Sequence, residues 1–490
     1  MDPLPLGDAA TTAQCILHWA TRTPHRTAVI EHDRDYSYRQ MADSIARFAG
    51  ALQASGVAPG ALVGLECGYR YLHLLLILAC EVIGAASLSF STADVMASDP
   101  LLPRCDFLCL QTPLPEAGNA AGVLYLTPDN VDRIRRQSVD RQALALLDSV
   151  PADDAVMRLV RSSGSTGPPK VMAMSHTNMQ RLLQCTAATE GHPDYDWNFL
   201  NPYNYTLRSA QIESCLALRL GFTAVSSLLP NLFADLRRFR QSRMTLLPGD
   251  AARLVAALPL DWGAPATCLL NVKGGALPPA IRQALLGIAS DLLHPYATTE
   301  TYRLALIDEE GIGTLSPGVA VRIVDDAGRV QPLGACGLIE ARSPAMVDGY
   351  LWDAAATRDA FVDGWYRTSD IGTMPAAGRL VVLGRADDML NLGGVKVAPQ
   401  PLEQRITAIE GVADAVLLAE QTLAGTPAVQ VVLQLQSSAD LAALHERIAP
   451  ILAPHVANFT LRAMTALPRT ETGKVQRGAL RRALTEARPT

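Results

Sequence analysis

One segment has the residue types that bind polyphosphate. Residues 161–170 hold serine, threonine and glycine side by side, follow the apolar run 156–160, and end at Lys170. Hydroxyls and glycines in one loop offer O–H and N–H donors to an anion, and Lys170 adds positive charge. The spacing is not that of a Walker-type loop, because Gly164 lies six residues before Lys170 and Val171 follows it. The segment predicts a phosphate-binding loop, and a Ser/Gly-rich surface turn is the alternative.

Helical and strand-like segments alternate along most of the chain. Periodic apolar segments such as residues 44–52 are typical of helices, and short aliphatic runs such as 223–229 are typical of strands. This alternation predicts an α/β fold with a large N-terminal domain over residues 1–386. Strand-like runs and acidic turns predict a β-rich subdomain within it, over about residues 319–384. Mixed helical and strand-like segments predict a small C-terminal α+β domain over residues 387–490.

Length and charge exclude several classes of protein. The chain has 490 residues, which is enough for two or more compact units with substantial cores. It carries 42 basic and 48 acidic side chains, for a formal net charge of −6. Such a chain has no global positive field to attract nucleic acid or an anionic membrane. We therefore expect neither as a partner.

Cysteine usage and apolar patterning predict a cytoplasmic protein. The nine cysteines form no CxxC pair and adjoin no histidine cluster, which is typical of reduced thiols and argues against a zinc site. No basic residue precedes Arg22, so the charged start of a secretory signal is missing. His73 and Glu81 interrupt the most apolar window, residues 71–90. That window predicts a buried helix running into a strand rather than a membrane span.

The loop at residues 161–170 resembles the phosphate signature of the acyl-adenylate-forming superfamily. This family includes acyl-CoA synthetases, stand-alone adenylation domains and luciferases. Further segments resemble its motifs in the same order over nearly the whole chain: residues 296–300, 364–370, 384–388, 393–397 and 468–474. Several motifs in the family's order are far more specific than any one of them. The resemblance implies the family's fold, a large domain of stacked α/β layers and a small mobile C-terminal domain.

The resemblance implies how the nucleotide is held. In this family the residue matched by Tyr296 stacks near adenine, while those matched by Thr299 and Glu300 are catalytic, meeting the α-phosphate and holding Mg²⁺. Ala297 replaces the usual glycine and adds one methyl beside the nucleotide. Asp370 matches the aspartate that accepts hydrogen bonds from both ribose hydroxyls, a role suited to two carboxylate oxygens. The implied ATP-binding residues are Ser162, Ser163, Gly164, Ser165, Thr166, Gly167, Lys170, Gly275, Tyr296, Ala297, Thr298, Asp370 and Arg385.

The resemblance also implies two half-reactions. Lys474 matches the catalytic lysine that bridges the substrate carboxylate and the α-phosphate. In the family the C-terminal domain then rotates about a hinge, matched here by Asp387. The rotation brings a glycine loop, matched by Gly393 and Gly394, to the pantetheine tunnel, where absent side chains leave space for a thiol arm. Because both glycines are present, we expect this chain to carry out adenylation and acyl transfer.

The segment that carries the acyl pocket in this family departs here from the family pattern. Counted back from Gly221, Tyr205 occupies the aromatic gate. Arg208 stands where CoA ligases place glycine and amino-acid adenylation domains place an aspartate for the substrate ammonium. A cation there should reject an α-amino acid bound in the usual way. Lys273 stands where glycine is usual, and Arg303 falls on another pocket-lining position.

Three cations around one pocket predict a substrate with a second negative group, such as a dicarboxylate or a sulfonated or phosphorylated acid. The reason is that an unpaired buried charge is strongly unfavourable. The alternative is that these side chains point outward, pair with Glu213 or Asp250, or contact phosphate or the CoA nucleotide. The pocket would then have the apolar walls that are commoner in the family, formed by Tyr205, Ile212, Leu270 and Val272.

The sequence thus predicts an AMP-forming acid–thiol ligase. It would use ATP and Mg²⁺ to activate a small carboxylic acid, and would pass the acyl group to CoA or to the phosphopantetheine of a separate carrier protein. Two alternatives stay open. One is adenylation of a hydrophobic, aromatic or β-amino acid for a carrier protein, and the other is a non-catalytic nucleotide-binding scaffold on the same fold.

Overall fold

A computed structural model describes most of the chain. The described residues are 10–114, 122–139, 141–149, 152, 154–162, 170–190, 197–239, 241–263, 265–392, 395–422, 426–435, 440–469 and 475–486. Over these ranges, no helix is both long and apolar enough to cross a membrane.

The helices of the described ranges begin and end at recognisable capping signals. Thr11 and Ser37 open the first two helices as capping boxes, each exchanging hydrogen bonds with a glutamine three residues later. Gly84, at φ +79°, ends the third in the left-handed conformation that glycine adopts without steric cost. The helices are α1 Thr12–Arg22, α2 Tyr38–Ala54, α3 Arg70–Ile83, α4 Thr92–Met96, α5 Pro128–Arg135, α6 Arg141–Ala145, α7 His176–Glu190, α8 Arg208–Arg219, α9 Leu232–Arg238, α10 Pro248–Ala256, α11 Pro279–Leu286, α12 Ala354–Ala360, α13 Pro399–Thr407, α14 Leu441–Leu452 and α15 Arg477–Glu486.

Two largely parallel sheets form the first layers of the fold. Their strands are β1 Thr27–Glu31, β2 Arg34–Ser37, β3 Leu62–Glu66, β4 Ala86–Ser89, β5 Phe107–Leu110, β6 Gly122–Tyr125, β7 Val156–Arg161, β8 Val171–Ser175, β9 Asn198–Asn201, β10 Thr223–Ser226, β11 Ser242–Leu246, β12 Ala266–Val272 and β13 Ala289–Leu293. One sheet has the order β13–β12–β11–β9–β10–β1–β2, and the other β6–β5–β3–β4–β7–β8. The pairs β1–β2 and β7–β8 run antiparallel, while the other neighbours run parallel.

The largest apolar core contains side chains from α1, α2, α3, α7 and α8. Every residue from Tyr71 to Ile83 in α3 is buried, and β4 follows at Ala86. The prediction of a buried helix running into a strand is therefore confirmed. Helices that cover largely parallel sheets are the arrangement expected of the α/β class, so the predicted fold class is confirmed as well.

A third, mostly antiparallel sheet follows in the chain. Its strands are β14 Pro295–Thr298, β15 Tyr302–Ile307, β16 Gly313–Leu315, β17 Ala320–Val324, β18 Cys336–Arg342, β19 Phe361–Val362, β20 Trp365–Ala376 and β21 Arg379–Arg385. The order is β14–β15–β16–β21–β20–β18–β17, with β19 on β20. The strand-rich texture predicted over about residues 319–384 belongs to this sheet, whose first three strands precede Val319.

The C-terminal region combines short helices with two small sheets. Its strands are β22 Leu390–Leu392, β23 Val395–Val397, β24 Val412–Gln421, β25 Pro427–Leu435 and β26 Asn458–Met464. β22 pairs with β23, and β24–β25–β26 form a three-stranded sheet. Apolar residues of α13 and α14 pack on one side of that sheet, and Leu480 and Leu484 of α15 pack with Val416, Leu418 and Val432 on the other.

Two glycines face each other where β18 meets β20. Gly337 and Gly372 are register partners. A Cβ atom on Gly337 would lie 2.3 Å from the carbonyl oxygen of Val324, and one on Gly372 would lie 2.6 Å from that of Val381. Backbone atoms in paired strands cannot move aside for such contacts, so the close pairing of these strands requires glycine at both positions.

We expect Gly337→Ala to lower the free energy of unfolding by about 1–3 kcal/mol, the usual cost of overpacking. The measurement is the thermal unfolding temperature. Gly50→Ala is the matched control, because Gly50 lies inside α2 and a Cβ there meets nothing within 4 Å. That control should gain about 0.5–1 kcal/mol from helix propensity. Equal melting temperatures for the two variants would contradict the steric argument.

Candidate functional site

Asp370 lies at the centre of a hydrogen-bonded row in the third sheet. The hydroxyl of Tyr296 donates to Asp370 Oδ2 at 2.6 Å, and Arg385 Nη1 lies 3.3 Å from Oδ1. Asp370 and Arg385 are register partners on β20 and β21, which fixes their separation. Burial and the nearby Asp370 charge raise the pKa of Tyr296, so its hydroxyl stays a donor. Three residues predicted to bind nucleotide are thus brought together.

The turn between β14 and β15 presents Thr299 and Glu300. Thr298 Oγ1 accepts from the backbone N–H of Thr301 at 3.1 Å and lies 2.9 Å from its hydroxyl. Thr298 therefore stabilises the turn from within. Ala297 is half-buried at the end of β14. The carbonyl oxygen of Gly275 lies 3.0 Å from Nε2 of His294, the residue before β14.

Glu300 is buried and is held by a residue that the sequence reasoning missed. The hydroxyl of Tyr350 donates to Glu300 Oε1 at 2.9 Å. Burial and the Glu300 charge raise the pKa of Tyr350 and also that of Tyr366, which keeps both phenols protonated. Tyr366 lies inside the motif at residues 364–370, so its place in a recognised motif could have identified it as a site residue. Tyr350 had no comparable signal.

The base of the predicted phosphate loop is closed by its two ends. The N–H of Ser162 donates to the Lys170 carbonyl at 2.8 Å, and the N–H of Lys170 donates to Ser162 Oγ at 3.1 Å. Lys170 Nζ lies 4.6 Å from the centroid of the Tyr350 ring. Ser163, Gly164, Ser165, Thr166 and Gly167 lie outside the described residues, as do Gly393, Gly394 and Lys474.

Arg208 begins α8 and contacts the turn between β14 and β15, so it links the residues predicted to bind nucleotide to those predicted to form the acyl pocket. Its Nη1 donates to the carbonyl oxygen of Thr299, and its Cζ lies 5.9 Å from the centroid of the Tyr302 ring. Within the described residues, its Nε and Nη2 atoms are buried and have no hydrogen-bond partner. Burial lowers the pKa of Arg208 to about 10, which leaves the guanidinium charged at neutral pH.

Lys273 pairs with Glu213, which was the alternative considered for it. Lys273 Nζ lies 2.9 Å from Glu213 Oε1 and 5.7 Å from the centroid of the Tyr302 ring. Arg243 Nε lies 2.8 Å from Glu213 Oε2, and the hydroxyl of Thr245 donates to Oε1 at 3.0 Å. Burial alone would raise the pKa of Glu213, but Arg243 and Lys273 lower it to about 2. The sequence analysis did not identify Arg243 and Thr245. They are two residues apart on β11, so both side chains lie on the face of the strand that meets Glu213 of α8.

Arg303 lies next to Tyr302 but is turned toward α7. Its Nη2 donates to the Cys185 carbonyl at 3.2 Å, and its Nε donates to Ser316 Oγ at 3.2 Å. Tyr302 has φ +63°, a strained value for a non-glycine residue. Arg303 and Tyr302 both border a cavity of about 180 Å³, whose other lining residues include Cys185, Pro317, Val319 and Ala345.

The four residues expected to form apolar walls belong to two different cores. Tyr205 and Ile212 belong to the largest core, whereas Leu270 and Val272 belong to a separate core with residues of β11 and α10. Side chains alternate along a strand, so Leu270 and Val272 lie on the face of β12 opposite Leu269, which belongs to the largest core. That Tyr205, Ile212, Leu270 and Val272 form the walls of an acyl pocket stays a prediction.

The predicted hinge residue Asp387 is exposed and lies in the single-turn 3₁₀ helix Ala386–Asp388. Its neighbour Asp388 lies 3.3 Å from Arg477 Nε, and Arg477 also pairs with Glu403 at 2.8 Å. These ion pairs tie the start of α15 to the end of the predicted hinge and to α13.

Comparison with known proteins shows the family. A family model described as AMP-binding enzyme matches residues 16–93 and 112–351. A feruloyl-CoA synthase of Amycolatopsis is 28% identical over 510 residues, which covers 94% of this chain and 97% of that protein. A 2-succinylbenzoate–CoA ligase of Bacillus licheniformis is 25% identical over 417 residues, an alignment that covers 81% of this chain and 84% of that protein.

The fold also matches a solved structure, that of ATP-bound MatB from Rhodopseudomonas palustris. The TM-score is 0.83 at 21% identity, with 97% of this chain and 99% of that chain covered. The family match spans more than half of the chain. The chain therefore belongs to the AMP-binding enzyme family, and with it to the acyl-adenylate-forming superfamily of AMP-forming acid–thiol ligases that its motifs predicted.

Proposed function

We propose that this enzyme adenylates a small carboxylic acid that carries a second anionic group, and then transfers the acyl group to the thiol of CoA or of a carrier-protein phosphopantetheine. The observation that supports a second anionic group in the substrate is the environment of Arg208. In the described structure its Nε and Nη2 atoms are buried without a partner, while its Nη1 donates to the carbonyl of Thr299. Family membership and the row of Tyr296, Asp370 and Arg385 support the nucleotide chemistry.

In the first half-reaction, a carboxylate oxygen of the acid attacks the α-phosphorus of ATP. The new P–O bond forms while the bond to the β-phosphate bridge breaks, and pyrophosphate leaves. The nucleophile is already an anion, so no side chain needs to remove a proton. Thr299, Lys170, the rest of the phosphate loop and Lys474 would neutralise charge that grows on the phosphoryl oxygens, which is electrostatic and positional catalysis.

Glu300 fits a magnesium ion that arrives with the nucleotide. It is a buried carboxylate, and the described residues contain no group of three His, Cys, Asp or Glu side chains that could form a complete metal cage. In nucleotide sites, Mg²⁺ takes one or two carboxylates and completes its shell with phosphate oxygens and water. When bound, the ion would neutralise phosphate charge.

In the second half-reaction, the thiolate sulfur attacks the carbonyl carbon of the acyl-adenylate. The C–S bond forms, the C–O bond to AMP breaks, AMP leaves, and the thiol proton passes to solvent. Gly393 and Gly394 would border the channel for the pantetheine arm, since glycine leaves the most space. Rotation about Asp387 would withdraw Lys474 and admit that arm.

The charges around Tyr302 favour an anionic acid over an amino acid. Within the described ranges Arg208 forms no ion pair, whereas Glu213 is engaged by both Arg243 and Lys273. The buried Nε and Nη2 atoms of Arg208 are unfavourable without hydrogen-bond partners, and an anionic ligand group would satisfy them. A substrate ammonium would find no unoccupied carboxylate at Glu213. The relative named for 2-succinylbenzoate supports this proposal, because 2-succinylbenzoate carries two carboxylates.

A second candidate substrate class is an aromatic or other apolar acid. The cavity of about 180 Å³ beside Tyr302 favours it, since Pro317, Val319, Pro344 and Ala345 are among its lining residues. The relative named for feruloyl-CoA acts on an aromatic acid without a second carboxylate. The two classes differ in what Arg208 does, so substitution of that residue separates them.

Asp370→Ala tests the nucleotide site. We expect the dissociation constant for ATP to rise by about 10-fold to 100-fold, because hydrogen bonds to a charged group contribute about 1.5–3 kcal/mol. The KM for the acid should change little. Equilibrium ATP binding and steady-state kinetics measure both, and Asp359→Ala, which removes an exposed carboxylate, is the control. Wild-type ATP affinity in Asp370→Ala would place the ribose elsewhere.

Lys474→Ala tests whether the two half-reactions are separable. Adenylation, measured as ATP–pyrophosphate exchange, should fall by about 100-fold or more, as when one key charge-stabilising donor is lost. Thiol acylation from a supplied acyl-adenylate should persist, because the lysine acts only on the phosphoryl step. Gly394→Leu should show the converse pattern, since its side chain would fill the thiol channel. Equal loss of both steps in Lys474→Ala would refute the assignment.

Arg208→Gln tests the choice of acid. In the wild type, a diacid should support exchange about 10-fold to 100-fold better than its monomethyl ester, because the ester leaves a buried cation unpaired. Arg208→Gln should abolish this preference and change the KM for ATP by a smaller factor, because the substitution also alters the contact with the Thr299 carbonyl. Arg253→Gln is the matched control, because the side chain of Arg253 is 80% exposed. A wild-type preference for the ester or for a neutral aromatic acid would favour the second substrate class.

A further inference from the structure

Tyr350 contacts two parts of the site that are far apart in the chain. Its hydroxyl donates to Glu300 Oε1 at 2.9 Å, and its ring lies 4.6 Å from Lys170 Nζ. Glu300 is 50 residues before Tyr350, and Lys170 ends the predicted phosphate loop. The half-reactions described above use Glu300 and Lys170 but give Tyr350 no role.

The position of the Tyr350 ring is fixed by the backbone on both sides. The N–H of Leu351 donates to the Val171 carbonyl at 2.7 Å, and these two residues form an antiparallel bridge. The N–H of Tyr350 donates to Thr357 Oγ1 at 3.0 Å. The bridge pairs the residue after Tyr350 with the residue after Lys170, so the backbones of Tyr350 and Lys170 are held close to each other.

The face of the Tyr350 ring contacts the Lys170 ammonium and orients it. Lys170 is exposed, and over the described ranges it forms no ion pair with a carboxylate. An ammonium within about 6 Å of an aromatic centroid is attracted by the ring quadrupole. Without that attraction, a long lysine side chain at the surface would sample many rotamers, and ordering them on phosphate binding would cost entropy.

The hydroxyl end locates the Glu300 carboxylate. Glu300 is 6% exposed, and Tyr350 binds only one of its two oxygens, Oε1. A carboxylate that coordinates a metal is generally oriented by a hydrogen bond of this kind, and loss of such a partner weakens metal binding about 10-fold to 100-fold. Tyr366 also makes a side-chain hydrogen bond with Glu300, so two phenols orient this carboxylate.

We propose that Tyr350 is a positioning residue that sets the distance between the phosphate-binding ammonium of Lys170 and the magnesium-binding carboxylate of Glu300. The ring orders the lysine, the hydroxyl orders the carboxylate, and one rigid side chain makes both contacts. This inference rests on the proposed function in one respect, namely that Glu300 holds Mg²⁺ brought with ATP.

Two substitutions separate the two contacts. Tyr350→Phe keeps the ring and removes the hydroxyl, so ATP affinity in EDTA should equal that of the wild type. The Mg²⁺ concentration that gives half of the metal-dependent gain in ATP affinity should rise about 10-fold. Tyr350→Leu also removes the ring, and should additionally weaken ATP binding in EDTA by about 2-fold to 5-fold, the usual value of an exposed cation–π contact. Calorimetric titration of ATP at fixed Mg²⁺ concentrations measures both effects without turnover.

Tyr38→Phe is the matched control. Tyr38 is also buried, and its hydroxyl donates to the Phe222 carbonyl at 2.7 Å, so the variant loses a comparable hydrogen bond in α2. It should lower the melting temperature without changing the Mg²⁺ dependence. Wild-type Mg²⁺ dependence in Tyr350→Phe, or equal EDTA affinities in Tyr350→Leu and Tyr350→Phe, would overturn the proposal. A wild-type protein that binds no ATP would overturn the proposed function itself.

Discussion

The hydrogen bond from Arg208 to the Thr299 carbonyl joins the two sides of this site. Arg208 begins α8, whose residues pack in the largest core, and Thr299 lies in the turn between β14 and β15 of the third sheet. A guanidinium buried at this junction brings a positive charge next to the residue proposed to meet the α-phosphate. Within the described structure, Nε and Nη2 of Arg208 are buried and have no hydrogen-bond partner. We propose that a substrate group binds them.

The neighbouring charges support the proposed preference for an anionic acid. Arg243 and Lys273 share Glu213, whose pKa they hold at about 2 against the opposing effect of burial, so this carboxylate stays ionised and engaged. A carboxylate held by two cations cannot also receive a substrate ammonium without breaking an ion pair. Removal of one partner from a buried ion pair is strongly destabilising. We therefore propose that the nucleotide chemistry of the family is combined here with a pocket whose charge differs from that expected of an amino-acid adenylation site.

The catalytic power proposed here is a matter of placement more than of proton transfer. Asp370 is positioned by its register with Arg385, Lys170 by the clamp at the base of its loop, and Glu300 by a phenol from a distant segment. Charges that are ordered before the reaction need no reorganisation when negative charge moves to the phosphoryl oxygens. The strained φ of Tyr302, between the nucleotide turn and the cationic cluster, is consistent with a site whose geometry is imposed by its surroundings.

The sequence by itself determined the family, the alternation of helices and strands, and the order of the motifs, because these depend on spacing along the chain. Through resemblance it also predicted that Tyr296, Asp370 and Arg385 share one site, and the structure brings their side chains together. Only the tertiary structure decided which residues Lys273 and Glu300 meet. Lys273 pairs with Glu213, which is 60 residues away in the chain, and Glu300 accepts a hydrogen bond from Tyr350, which is 50 residues away. It also put Leu270 and Val272 on the far face of β12, as strand alternation requires. The physical reason is that a residue's type fixes what it can bind, whereas packing of distant segments fixes which partner it meets.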